Sequence, residues 1–498
     1  MISPPNDREK FLYVRTNKLW FYIPSLLSTS TLLVGLFLFA TSSPSLWWYA
    51  VYGIVLLVYL GLSFSVGIFS APFDFDAFRR QTYLGSLPDM TVDIFLPSCG
   101  EPLATIQNTI LGAKRMASYH GRSIIYVLDD ADSDELKAFA ESEGVEYVRR
   151  PVKEHKKAGN IRYAFARTNG EAILILDADF VPREDMLNDM LPHMKSNVAT
   201  VQSPQFFRVQ DGMNWIEKGA GFVQELFYRL IQVNRNHFGA PVCVGTCALY
   251  RRKALEPFGG TALIDYSEDL HTGFSVMTHG WQVKYIPVNL AAGECPQTLA
   301  AYFTQQYRWC MGSVTLLTTK EFWFAKRIGI IQKACFMTGM LYYIATAASI
   351  VMTTVPSLIV LWFFPHLANR YSVMFSLPSF LVGTVVIALW SKHRFGVYAI
   401  EARVIAYWAH LFAIIDKARG NLMPWVPTGV VTKKNSRFLY FKWAFLTYSL
   451  LMFTLLCTGA IVNMENVEIY PMVALTTFYR LLEFRIVYFC FSHRAPSP

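Results

Sequence analysis

Hydrophobic and polar positions give this chain two textures. At residues 19–40, 46–69, 336–364, 371–391 and 443–462 the sequence runs on without a charge and is rich in apolar side chains. Each stretch is long enough to cross a hydrocarbon core of about 30 Å, which takes roughly 20 helical residues. A sixth stretch, 467–491, is apolar but carries Arg480, Glu483 and Arg485. Between 89 and 322 the pattern changes to short apolar or β-rich runs alternating with helical stretches, as in an α/β sheet layer. Strands are predicted at 92–97, 124–128, 145–149, 198–202, 242–250 and 282–287, the last closing the sheet. The aliphatic run 173–176 reads as a central strand buried on both faces. A helix is predicted from Lys156 to Arg167, and Pro182 suits the first turn of another.

After the sheet, 299–312 and 321–331 are predicted as amphipathic helices at the membrane face, and 401–418 as a helix lying in the interface. Residues 424–434 are polar and broken by proline, which predicts a mobile cytoplasmic loop. The chain divides into an N-terminal segment with two spans (1–88), an α/β domain (89–322), and interface helices with four spans (323–498).

Composition agrees with that division. Of 498 residues, 53% are hydrophobic and only 16% are charged, against the usual quarter, which points to a membrane. The first span is too long for a signal-peptide core and reads as a retained anchor. Arg8, Lys10, Arg15, Lys18, Arg79 and Arg80 flank one side of the first two spans, while their connector 41–45 is uncharged. By the positive-inside rule both termini and the α/β domain are cytoplasmic, with six spans in the plasma membrane. The net charge of +9 is accounted for by topology and an anionic substrate, and no nucleic-acid partner is expected. Eight scattered cysteines in such a setting argue against disulfides. Cys243 and Cys247 lack the second pair that a zinc site needs and read as core residues.

Candidate chemistry clusters in the α/β domain. Asp177 and Asp179 follow the central strand, and residues two apart on a strand share a face. Ligands of open α/β sheets gather beyond the strand carboxyl ends, where two acids suit Mg²⁺ and a diphosphate; a solvated strand end is the plainer reading. Asp129, at another strand end, could accept hydrogen bonds from a nucleobase or ribose. Lys157, near a helix start, could neutralise phosphate. Ser267, Glu268 and Asp269 lead a helix, where Ser267 also suits a plain N-cap. Gln305, Arg308 and Trp309 lie on another helix. Together they match inverting glycosyl transfer. A cation and a metal neutralise the departing diphosphate, and one carboxylate, assigned to Asp269, takes the proton of the attacking hydroxyl. Arg308 offers a planar donor fork for phosphate, and Trp309 a face for a sugar ring.

The order D-D, K-A-G-N, D-x-D, S-E-D and Q-x-x-R-W resembles the processive family-2 membrane glycosyltransferases, the cellulose synthase group in particular, over almost the whole chain. The resemblance implies a glycosyltransferase-A domain, with a mixed, mostly parallel sheet, inserted in a six-span α-helical membrane domain. It implies Asp129 on uridine, Asp177 and Asp179 on Mg²⁺ (or Mn²⁺), and Lys157 and Arg308 on the pyrophosphate. Asp269 becomes the base with Glu268 beside it, and Gln305 and Trp309 position the acceptor. Val244, Gly245 and Thr246 resemble a finger segment that touches the acceptor. Residues 430–434 resemble a gating loop whose Thr432 and Lys434 reach the diphosphate.

The implied reaction is processive transfer of glucose from UDP-glucose to the non-reducing end of a β-glucan, cellulose or mixed-linkage, moved across the membrane. A chitin- or hyaluronan-like synthase using UDP-N-acetylglucosamine, and a non-processive transferase loading a lipid carrier, are the alternatives. A transporter or receptor that only binds nucleotide would leave Asp269 unexplained. Accessory subunits or a homo-oligomer are compatible with the resemblance. Ser267 replaces a usual threonine, Phe180 a common histidine and Val244 a frequent cysteine. Gly429 and Asn435 flank the gating loop in place of phenylalanine and glycine, and two spans precede the catalytic domain instead of four. With the chain ending after its last span, no C-terminal PilZ domain and no cyclic-di-GMP regulation through this chain are expected.

Overall fold

A computed structural model describes residues 2–210, 212–391, 396–422 and 436–492. Two apolar helices come first, α1 (Leu19–Thr41) and α2 (Tyr49–Phe69). The α/β domain then builds a seven-stranded sheet from β1 (Val92–Ser98), β2 (Ser123–Asp129), β3 (Glu146–Arg149), β4 (Ala172–Ile175), β6 (Val198–Gln202), β8 (Ala248–Arg251) and β9 (Gln282–Tyr285). Its order is β3-β2-β1-β4-β8-β6-β9. Pairings are parallel except those of β8, which runs antiparallel to both neighbours.

Alternation along β4 shows why this strand is central. Ala172 and Leu174 enter the core on one face, Ile173 and Ile175 that on the other. Both faces are therefore dry, as the unbroken aliphatic run requires.

The acids that follow are not on a strand. Asp177 closes a turn by accepting the Phe180 amide on its carbonyl at 3.0 Å. That turn leads into β5 (Phe180–Pro182), part of a second sheet with β7 (Phe206–Phe207) and β10 (Ala291–Gly293) that the sequence pattern does not predict. Pro182 ends β5 and begins no helix; the next helix starts at Met186. The predicted strand 242–250 is cut to β8, because Gly245 and Cys247 adopt positive φ and break the extended run. Cys243 and Cys247 are buried, and all eight cysteines are free.

Three helices of this domain carry candidate residues: α3 (Lys156–Phe165), α4 (Glu268–Thr278) and α5 (Leu299–Leu317). The N-terminal segment is bound to the same domain. Lys10 is buried and pairs with Asp185 at 2.8 Å and Asp189 at 2.5 Å, while Arg208 pairs with Glu9 at 2.7 Å.

The predicted helix 321–331 is interrupted. A single helical turn, Lys320–Phe324, is followed by non-helical residues before α6 (Ile330–Met352) begins. Pro356 sits in the first turn of α7 (Val355–Phe363). Residues 371–391, predicted as one span, form instead a 3-10 turn, two short α-helices and a π turn between them. Arg403 Nη2 donates to the Gly383 carbonyl in that π turn at 3.0 Å. The remaining helices are α8 (Gly396–Arg419), α9 (Ser436–Val462) and α10 (Tyr470–Phe491). Within α10, Arg480 and Glu483 pair at 2.6 Å, both buried.

Among the described residues, five helical stretches are long and apolar enough to cross a membrane: Leu19–Thr41, Tyr49–Phe69, Ile330–Phe363, Tyr398–Arg419 and Arg437–Val462. The chain is an integral membrane protein. A shared core joins α5 to α8, α9 and α10, so the helix carrying Gln305, Arg308 and Trp309 is packed directly onto the membrane helices.

Candidate active site

One cavity opens at the carboxyl ends of β1 and β4. Its lining includes Lys157, Asp177, Asp179, Glu268, Asp269, Gln305, Arg308 and Trp309, contributed by separate elements of the domain.

Lys157 enters from the start of α3, behind His155 and Lys156 in left-handed backbone. Its ammonium contacts the Asp177 carboxylate, donates to the Gly245 carbonyl at 2.8 Å and stands 3.9 Å from Glu268. Ser267 and Cys247 are also left-handed. Non-glycine residues in this region cost free energy and gather where surrounding structure holds them for a purpose. Ser267 does not cap α4 with its side chain. Its hydroxyl lies where a β-carbon on Gly312 would fall, so the glycine lets the S-E-D segment rest on α5.

Gln305, Arg308 and Trp309 share one face of α5, as residues three and four apart do, and that face lines the cavity. Burial lowers the basicity of Arg308, while Asp177, Glu268, Tyr266 and Asp179 oppose it.

Electrostatics across the cavity are dominated by crowded acids. Burial first, then Asp177, Glu101 and Glu294, raise the Asp179 carboxyl well above the usual carboxylate range. Asp269 is pushed up to about 7 by burial and by Glu268, with Lys157 opposing. Its Oδ1 accepts the Leu270 amide at 2.8 Å.

Several predicted residues sit elsewhere. Asp129 is fully buried and accepts from the amides of Ala131 and Ser133 at 2.7 Å each and from the Tyr147 hydroxyl at 2.6 Å. It orders a turn and does not line the cavity, whereas Asp130 does, gripped by Arg150 at 2.7 and 2.6 Å. Thr246 is also buried, and its hydroxyl accepts the Asp177 amide at 2.8 Å. It faces the D-x-D turn and does not line the cavity. Gly245 approaches Asp269, and of the finger segment only Val244 lines the cavity. Thr432 and Lys434 lie outside the described residues.

Glu101, Glu294 and Tyr266 line the cavity without having been singled out from sequence. Glu101 follows the turn after β1 and accepts the Cys99 amide at 2.7 Å. Its place after a strand end was a readable signal. Glu294 follows β10, in the sheet the sequence pattern concealed.

Residues 172–386 match the family described as Glycosyl transferase family group 2. The chain is 34% identical over 255 residues to the cellulose synthase 1 catalytic subunit [UDP-forming] of Komagataeibacter xylinus, covering 50% of this chain and 34% of that one. It is 31% identical over 288 residues to the cellulose synthase catalytic subunit [UDP-forming] of Pseudomonas fluorescens, covering 56% and 39%. The matches thus span little more than a third of these relatives. Among solved structures, a mannosyltransferase from Pyrobaculum calidifontis in complex with GDP-Man and Mn²⁺ shares the fold. The TM-score is 0.51 at 16% identity, over 75% of this chain and 99% of that one.

Proposed function

We propose that this chain is a membrane-embedded, processive β-glucan synthase. It takes glucose from UDP-glucose and adds it, with inversion, to the non-reducing end of a cellulose or mixed-linkage glucan that crosses the bilayer. The observation that carries this reading is the meeting of a metal-type acid pair, two cations, a basic carboxylate and a Q-x-x-R-W face around one cavity. The UDP-forming relatives support the donor.

Lys157 and Arg308 face the place where negative charge develops on the diphosphate, in a partly dry site where such cations act strongly. Asp177 and Asp179 would hold Mg²⁺ or Mn²⁺. Among the described residues no three acidic, histidine or cysteine side chains form a ligand cluster. Such an ion takes one or two carboxylates and completes its shell with substrate phosphate and water. The acids crowding Asp179 also call for a cation. When bound, the ion neutralises the leaving diphosphate.

Asp269 takes the proton from the acceptor hydroxyl, its basicity raised by burial and by Glu268. Trp309 presents a flat face to the acceptor ring and Gln305 a hydrogen-bonding amide. Thr246 anchors the Asp177 backbone. Thr432 and Lys434 are assigned to the diphosphate by resemblance alone.

Where α5 packs on the membrane helices, buried polar atoms are left unpaired. The Tyr302 hydroxyl, Gln306 Nε2 and His410 Nε2 are buried without a hydrogen-bond partner among the described residues. Tyr342 and Tyr343 pack edge-on against His410. Unpaired polar atoms at this seam between α5 and α8 suit a path for hydroxyl-rich polymer. The topology consistent with this reading is six spans with the catalytic domain and both termini cytoplasmic.

Purified protein incubated with radiolabelled UDP-glucose and Mg²⁺ should yield polymer that linkage-specific β-glucanases digest. Polymer only from UDP-N-acetylglucosamine, or label only in a lipid-soluble monosaccharide, would overturn the reading.

A further inference from the structure

The stretch between α5 and α6 turns its apolar side chains outward. Phe324 is 78% exposed and Ile330 84%, and Trp323 and Ile331 are exposed beside them. So many large apolar groups close together on a folded surface mark a contact site. They are held there firmly. Phe322 is fully buried against Phe274, in one core cluster with Phe336, so its neighbours point away. The Trp323 indole donates to the Leu317 carbonyl at 2.9 Å, and Lys333 donates to the Trp323 carbonyl at 2.8 Å.

Basic residues are interleaved with this surface. Lys320, Lys326 and Arg327 line an open cavity with Thr278, Glu321, Phe324 and Ala325. The only carboxylate in that lining, Glu321, accepts the Ser275 hydroxyl at 3.2 Å. Arg327 uses one nitrogen on the His279 carbonyl at 2.7 Å. Three basic side chains thus face one acid in that lining. The cavity therefore keeps a surplus of positive charge.

Its level relative to the bilayer follows from the helices. The chain enters the catalytic domain after α2 and leaves it into α6, and these two apolar helices pack side by side. Ile330, where α6 begins, is thus at the same end as Phe69, where α2 finishes with its ring 75% exposed. Exposed tryptophan and phenylalanine beside basic residues at this level match the headgroup zone.

We propose that Lys320, Lys326 and Arg327 form a binding site for the phosphate of an anionic phospholipid, with its acyl chains lying along Trp323, Phe324, Ile330 and Ile331. Charge complementarity selects the anionic headgroup over a zwitterionic one, and continuity with α6 selects a lipid over a soluble anion. The site is separate from the cavity around Asp269 and stands whatever sugar that cavity takes.

Full-length protein in neutral detergent, stripped of lipid, is titrated with an equal mixture of phosphatidylglycerol and phosphatidylcholine and read by native mass spectrometry. The wild type should carry a saturable phosphatidylglycerol adduct in clear excess. Each basic residue near an anionic surface is worth about fivefold, so K320S/K326S should cut that preference about 25-fold and each single variant about fivefold. A control with two exposed lysines removed elsewhere, K137S/K253S, should keep it. Equal adducts of both lipids on the wild type, or an unchanged preference in K320S/K326S, would overturn the proposal. So would displacement of the adduct by glycerol phosphate, which has the headgroup's charge and no acyl chain.

Discussion

A β-carbon on Gly245 would lie 2.8 Å from Oδ2 of Asp269. The glycine also has φ of +72° and offers its carbonyl to Lys157. One backbone position thus sets the place of the proposed base and of a proposed phosphate-binding cation.

Gly245→Ala should therefore fold and fail. The left-handed backbone costs a side chain roughly 1–2 kcal/mol, and the methyl displaces the Asp269 carboxylate. A shift of about 1 Å in a reacting group costs on the order of 100-fold. Steady-state assays should show kcat down by about that factor, with a melting temperature only a few degrees lower.

Thr246→Val tests whether the D-x-D turn is held from behind. Valine keeps the shape and removes the acceptor of the Asp177 amide, and an unsatisfied buried N–H costs about 1–3 kcal/mol. The KM for UDP-glucose should rise about tenfold at the lower part of that range, with the fold intact. Thr246→Ser should restore it. A direct acceptor contact would instead change the response to added oligosaccharide.

The pH dependence of turnover should carry an acid limb. Asp269 must be deprotonated to act, and its folded-state value is pushed up to about 7. Rate should rise through that value and level off above it. Removing the like charge with Glu268→Gln should move the limb to lower pH, because Glu268 is one of the groups that raises Asp269. Asp269→Asn should lower kcat by about 10²–10⁴-fold at every pH. A limb that does not move in Glu268→Gln would assign the titration to another group.

Removal of divalent ions should abolish transfer. Chelation followed by Mg²⁺ or Mn²⁺ should switch activity off and on without unfolding the protein. Asp179→Asn should raise the metal concentration needed for half-maximal rate by at least about tenfold. Full polymer output in excess chelator would remove the metal from the mechanism.

Much of the sheet was legible because its central strands β1, β4 and β6 bury recognisable runs. Residues 198–202 form β6 as read, and β4 occupies most of the aliphatic run before Asp177. The spacing of Gln305, Arg308 and Trp309 likewise determined a shared helical face, since helical geometry is local. What stayed hidden depends on distant partners. The three-stranded sheet uses strands of two or three residues, too short to leave a period, so Glu294 gave no sign of facing Asp179. The break after Phe324 turns on the burial of Phe322 against residues far along the chain. Residues 371–391 look like a span by hydropathy, yet Arg403 from another helix takes a carbonyl of their π turn.

Asp129 and Thr246 show the same division within the site. By itself the sequence determined that an acid ends β2 and that a hydroxyl follows Gly245. Local pattern goes no further, because a side chain's role depends on which groups surround it. Only the tertiary structure decided that three donors already satisfy Asp129 and that Thr246 braces Asp177 from behind. Residues far apart in sequence meet only when the sheet and α5 are packed, and that packing separates the groups facing the cavity from those that hold them there.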